Sequence, residues 1–281
     1  MQGLYQRCAG SDVHKDTVVA CVRIAADAAV RSEVRTFDTM TPGFWHSRLA
    51  GHAVTHVAME ATGVYWKPVW HVLSDGELTL IVANAAHVKN VPGRKTDVAD
   101  ATWLADLLAH GLIRPSFVPD APTQSMRDLL RTRKQLIREQ ASHIQRLQKT
   151  LEDANLKLSS VLTDIMGLSG RAILAALIER RDDVDHLLTL IDRRVKAPPD
   201  KLRAALTGRI HDRHRFLLRL HLRQVDALNA AVAGIAQEVE RDLAPFRDAV
   251  RQLRTIHGVS DLSAHVIVSE IGIDMSRFQI P

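Results

Sequence analysis

The chain has 281 residues, of which 46% are hydrophobic and 25% charged, and a formal net charge of +5. These totals exclude a disordered chain, and no run of about 18 uninterrupted apolar residues marks a membrane span. The opening Met-Gln-Gly-Leu-Tyr-Gln-Arg lacks the apolar stretch of a secretory leader, so a cytoplasmic protein with no membrane partner is expected.

The first predicted element is a strand in Cys-Ala-Gly-Ser-Asp-Val-His-Lys, where small residues precede Asp12 and let other groups approach it. Further strand-like runs follow at Val18 to Ile24, Val30 to Phe37, Val54 to Met59 and Leu78 to Val82, separated by turn residues and helical patterns. Two adjacent strands followed by strand and helix in alternation predict an α/β domain with a mixed sheet. Cys8 and Cys21 lie inside the apolar runs without a second pair at metal spacing, and both read as reduced core residues. Glu60 directly follows a buried-strand pattern. Asp97 and Asp100, three residues apart, open a helix and share one face of it, while Asp106 lies on another.

All four tryptophans and both tyrosines fall within the first 103 residues, and composition then shifts to Leu, Ala, Arg and Gln, placing a domain boundary near Pro115 to Pro122. Beyond it, apolar residues step by four and three through Met126, Leu130, Arg133, Ile137, Gln140, Ile144, Leu147, Leu151, Ala154, Leu158, Val161 and Ile165. Ten of these twelve are apolar, with Arg133 and Gln140 as interruptions, and the spacing predicts one long coiled-coil helix. After a helix break at Pro198 and Pro199, a second series runs Leu217, Leu220, Gln224, Leu228, Ala231, Ile235 and Val239, and the two helices are expected to pair within one chain or between two. The tail predicts a short helix, a Gly turn and another helix.

Charge is uneven along the chain. Residues 1 to 118 carry eleven basic and eleven acidic side chains, whereas residues 119 to 281 carry 26 and 21. Residues 123 to 150 alone hold seven basic side chains against two acidic ones, a footprint suited to phosphate, although such runs also simply solvate a helix face. His211, His214 and His221 sit among arginines, so a cationic helix surface is expected there rather than zinc.

Three segments thus each deliver acid where apolar residues dominate: Asp12, Glu60, and Asp97 with Asp100. Two carboxylates about 4 Å apart repel by roughly 4 kcal/mol at an effective dielectric near 20, and a divalent cation turns that cost into binding. Hard oxygen ligands suit Mg²⁺ or Mn²⁺, and phosphoryl transfer is the chemistry such a set fits. Spacing alone leaves open a structural role, since acids also favour helix N-termini and strand edges.

Gly-Ser-Asp-Val-His-Lys-Asp, Met-Glu-Ala-Thr-Gly-Val-Tyr-Trp, and Gly-Arg-Lys-Thr-Asp-Val-Ala-Asp-Ala with Leu-Ala-Asp-Leu-Leu resemble, in this order, the DEDD transposases of the insertion-sequence-110 family. The resemblance implies a RuvC-like, RNase H-like α/β domain over residues 1–118 in which Asp12, Glu60, Asp97 and Asp100 bind Mg²⁺ (or Mn²⁺) and act in catalysis. It also implies an α-helical coiled-coil region over 119–250 and the start of a C-terminal transposase domain over 251–281. The activity implied is DNA strand cleavage and transfer at sites chosen by a guide RNA, in a homo-oligomer joined through the coiled coil. Lys15, Arg94 and Lys95 would neutralise phosphate beside the acids, and Arg127, Arg131, Arg133, Lys134 and Arg138 would grip DNA or RNA. The family places a nucleophilic serine beyond the position where this sequence stops, so the chain reads as truncated, and none of Ser260, Ser263, Ser269 and Ser276 is assigned that role. It is expected to keep metal and nucleic-acid binding without completing strand exchange. The alternatives are a RuvC or RNase H-like nuclease and a non-enzymatic nucleic-acid-binding coiled-coil protein. A dinucleotide or nucleotide enzyme is not expected, because no Gly-rich phosphate loop follows a strand.

Overall fold

Alternating apolar residues in the first third of the chain form five strands: β1 (Arg7–Val13), β2 (Thr17–Ala26), β3 (Ala29–Asp38), β4 (His56–Glu60) and β5 (Thr79–Ala83). They make one mixed sheet in the order β3-β2-β1-β4-β5. β1 to β3 pair antiparallel, and β4 lies parallel to both β1 and β5. The computed structural model describes residues 3–26, 29–40, 49–61, 63–90 and 100–277. By its contacts the chain divides into two compact units, Met1–Val118 and Pro119–Pro281.

Within the first unit β1 is central and buried on both faces, as its unbroken run of small and apolar residues requires. On one face Ala9, Val13, Val57 and Met59 pack with Val69 and Leu73 of helix α1 (Trp66–Ser74). On the other, Cys8 and Ala58 pack with Val88 of α2 (Ala85–Asn90) and Leu104, Leu107 and Leu108 of α3 (Asp100–Ala109). This α/β/α layering around a mixed five-stranded sheet fits an RNase H-like domain. Cys8 and Cys21 are free thiols in that core, and burial pushes the Cys8 thiol up to about 11.

The second unit is helical. Helix α4 (Ala121–Asp153) is capped by Asp120, whose carboxylate accepts from the Thr123 N–H. It packs side by side with α8 (Asp212–Asp242). The pairing is antiparallel, since Ser125 meets Asp242, Gln140 meets Asn229, and Asp153 meets His214. Near one end of the pair, Leu147 and Leu151 share a core with α5 (Leu168–Ile178), α6 (Val184–Thr189) and α7 (Pro199–Leu206). Near the other, Met126, Leu130 and Val239 pack with α9 (Arg247–Arg254) and α10 (Asp261–Ile271). Between Leu130 and Leu147, α4 has no fully buried residue, and Ile137 is 37% exposed.

Two expectations are corrected here, the end of α4 and the seam of α8. The helix predicted to run on to Ile165 stops at Asp153: Asn155 turns left-handed (φ 57°), and Leu156, Leu158, Leu162 and Ile165 fold back into the core around α5. No helix runs through Pro198 and Pro199, and Pro199 opens α7, as a first-turn proline can. The inward seam of the first half of α8 is displaced by one residue, with Leu218 and Val225 buried and Leu220 exposed. Two polar residues are drawn inside at this end of the helix, His214 on Asp153 and Arg215 on Asp182.

Candidate functional site

The acids of the first unit are positioned by the register of two neighbouring strands. In the parallel pair of β1 and β4, Gly10 lies beside Ala58 and Ser11 beside Met59, so Asp12 and Glu60 are the next residues along each strand. Side chains alternate along a strand, so Asp12 shares a face with Cys8 and Gly10, and Glu60 with Ala58. That is the face covered by α3, because Cys8 Sγ meets the Ala105 carbonyl oxygen at 3.6 Å and a Cβ on Gly10 would lie 2.3 Å from the carbonyl oxygen of Ala101.

Helix α3 runs antiparallel to β1. Its last residue, Ala109, accepts from the Tyr5 N–H at 3.2 Å, Ala105 sits over Cys8, and Ala101 sits over Gly10. Asp100, the first residue of the helix, therefore lies at the Asp12 end. Asp12, Glu60 and Asp100 are thus brought to one end of one sheet face, at the C-terminal ends of two parallel strands and a helix N-terminus. The helix dipole there favours negative charge. Glu60 is buried, and the Asp12 side chain is 18% exposed with its Oδ2 3.1 Å from His14 Nε2.

Asp97, Arg94 and Lys95 lie outside the described residues. Among the described residues no three His, Cys, Asp or Glu side chains stand close enough together to hold a metal ion. Asp12, Glu60 and Asp100, placed toward the same end of the face, are all carboxylates, and hard oxygen donors suit Mg²⁺ or Mn²⁺ rather than softer metals. Asp106 points elsewhere: its Oδ1 accepts from Arg23 Nε at 2.8 Å, and Arg23 is buried with Nη1 unpartnered among the described residues.

The basic residues divide by role. Arg127 donates to the carbonyl oxygens of Ser269 and Glu270 at 2.9 and 2.7 Å, and Arg131 makes two bonds to the Glu270 carboxylate at 2.9 and 2.7 Å. Both guanidiniums thus fasten the end of α10, a role the sequence did not suggest, and Arg131 holds the Glu270 carboxyl below its ordinary value. Lys15, Lys134 and Arg138 are exposed and Arg133 is half-buried.

His211, which caps α8, and His214 and His221 within it do not converge on one point. His214 Nδ1 accepts from the His211 N–H while its Nε2 meets Asp153 at 3.0 Å, and His221 Nδ1 faces His143 Nδ1 at 3.1 Å. The sequence reading also missed His14 as a partner of Asp12. Their spacing of two on or beside a strand was the available signal.

No described helix is long and apolar enough to cross a membrane. The model of a family described as a transposase, the DEDD transposases of the insertion-sequence-110 type, matches residues 9–156, just over half of the chain. No curated protein matches.

Proposed function

The chain belongs to the insertion-sequence-110 family of DEDD transposases, and we propose that Asp12, Glu60, Asp97 and Asp100 form its site for cutting and joining DNA strands. Transposases act on DNA, so DNA is the partner. The observation that supports the site assignment is the placement of Asp12, Glu60 and Asp100 toward one end of the face shared by β1, β4 and α3.

The four carboxylates would hold Mg²⁺ or Mn²⁺, which supplies Lewis-acid activation of an attacking hydroxyl and charge neutralisation at the phosphodiester. The chain's own contribution is placement. β1 and β4 fix Asp12 and Glu60 in register, and the contact at Gly10 fixes the N-terminus of α3. His14 Nε2 stands 3.1 Å from one oxygen of Asp12 and would help to hold that carboxylate in place. Lys15, Arg94 and Lys95 sit close in sequence to these acids and would draw the DNA backbone toward them.

In the second unit, Arg133, Lys134 and Arg138 offer cationic groups for DNA or a guide RNA. The antiparallel α4 and α8 are a short coiled coil through which two chains would associate, and the helices α9 and α10 open the C-terminal transposase domain. The protein would work in the cytoplasm, on sites selected by pairing of the guide.

Calorimetric titration with Mn²⁺ tests the assignment directly. Asp12→Asn and Glu60→Gln should each lose most of the heat of binding and the divalent-dependent nicking of DNA, with the circular dichroism spectrum retained. Wild-type Mn²⁺ affinity in either variant would overturn it.

A further inference from the structure

The outward face of α8 carries Phe216, Arg219, Leu220 and Arg223, three and four residues apart and so on one side of the helix. Phe216 is 61% exposed and Leu220 41%. Arg219 makes one long contact, Nη2 to the Ile178 carbonyl oxygen at 3.4 Å. Arg223 has no hydrogen bond or ion pair among the described residues. Both arginines also line an open groove of about 380 Å³ between α5 and α8, with Ala175, Ile178 and Leu222. The acids of that groove are already neutralised, Asp226 by Arg171 at 2.7 Å and Glu179 by Arg181. The strip is therefore apolar at Phe216 and Leu220 and carries an uncompensated charge of two guanidiniums.

We propose that this strip of α8 is a docking surface for unpaired DNA, with a base stacked on Phe216 and neighbouring phosphates on Arg219 and Arg223. Charge complementarity supplies the first argument: two guanidiniums without an acidic partner among the described residues, beside an exposed ring, attract a polyanion. The ring supplies the second, since an aromatic face stacks on a base only where that base has left its duplex. From Phe216 to Arg223 the helix rises about 10 Å, within reach of a strand laid along it. Cutting DNA liberates unpaired strands, so the proposal rests on the DNA-acting function above and places the freed strand on α8 of the second unit.

Fluorescence anisotropy with a labelled oligothymidylate, titrated against the full chain over a range of salt, tests it. Phe216→Ala should weaken binding about tenfold while leaving the salt dependence unchanged, because stacking involves no counterion. The double variant Arg219→Ala with Arg223→Ala should lower the slope of log affinity against log salt by about 1.4, at about 0.7 per phosphate contact. Phe216→Trp should restore binding, and duplex affinity should be indifferent to residue 216. Phe216 is exposed, so its variants keep the fold. Wild-type oligothymidylate affinity in Phe216→Ala overturns the proposal alone, whereas no DNA binding by the wild-type chain overturns it together with the DNA-acting function. Oligouridylate binding tenfold tighter than oligothymidylate assigns the strip to RNA and overturns it. So does self-association, seen by sedimentation, that Phe216→Ala abolishes, which assigns the strip to a second copy.

Discussion

Gly10 and Ala101 lie so close that a Cβ at residue 10 would stand 2.3 Å from the Ala101 carbonyl oxygen. Through this contact β1 sets the position of α3, and so of Asp100. A methyl group there would also meet the Ala105 nitrogen at 2.4 Å and Leu104 Cβ at 2.8 Å, none of them the tip of a flexible side chain.

Gly10→Ala should therefore lift α3 from the sheet. The expected cost is about 1–3 kcal/mol, as for other overpacked cores, with weaker Mn²⁺ binding in the same variant. Thermal unfolding and calorimetry measure the two effects. An unchanged melting temperature would show that the helix yields without strain.

Arg23 and Asp106 should respond unequally to mutation. Arg23 is 7% exposed in its side chain and Asp106 45%, so removing the acid strands a buried guanidinium, whereas removing Arg23 leaves an acid that water can reach. Asp106→Ala is expected to cost about 3–5 kcal/mol and Arg23→Met distinctly less. Urea denaturation of the two variants reverses or supports that order.

A similar contrast is expected at the end of α10. Arg131 makes the better-shaped ion pair, yet its side chain is 60% exposed and that of Glu270 38%, so the pair contributes at most about 1 kcal/mol. Arg127 is 15% exposed and serves two backbone carbonyls that have no helical partner, and its loss should cost about 1–3 kcal/mol. Arg127→Met should thus destabilise more than Arg131→Met in chemical denaturation.

The pair His143 and His221 predicts a pH dependence. Burial, then the neighbouring His143 and Arg146, hold the His221 imidazole below its ordinary value of 6.5. Between that value and the lower folded one, the unfolded chain binds the extra proton, so stability rises with pH. The contribution is intact above 6.5 and is lost as pH falls below it toward the folded value. Urea midpoints at about pH 7.5 and about pH 5.5 should differ less in His221→Gln than in the wild type. Equal differences would remove His221 from the account.

The sheet was legible in the sequence because alternation and unbroken apolar runs are local signals. The runs Val18 to Ile24 and Val30 to Phe37 lie within β2 and β3, and the run ending at Met59 leads directly to Glu60 at the end of β4. Asp12, Glu60 and Asp100 could be named as acids in apolar surroundings, but their common end of the sheet depends on strand register and helix direction, which no local pattern encodes. The end of α4 was misjudged because Leu158 and Ile165 keep the heptad spacing after the chain has turned at Asn155. The seam of α8 was misplaced where two partners distant in sequence, Asp153 and Asp182, draw His214 and Arg215 inward. Arg127 looked like one more cation in a basic run, and only the arrival of α10, about 140 residues later, gives it a structural task.

The paired helices of the second unit are clamped near both ends and thin at mid-length, where Ile137 is partly wet and polar contacts such as Gln140 with Asn229 replace a dry core. Such a span opens locally at lower free energy than its anchored ends. The rod can then bow or twist at its waist while each clamp stays shut, and amide protons there should exchange ahead of those near Leu147 or Met126.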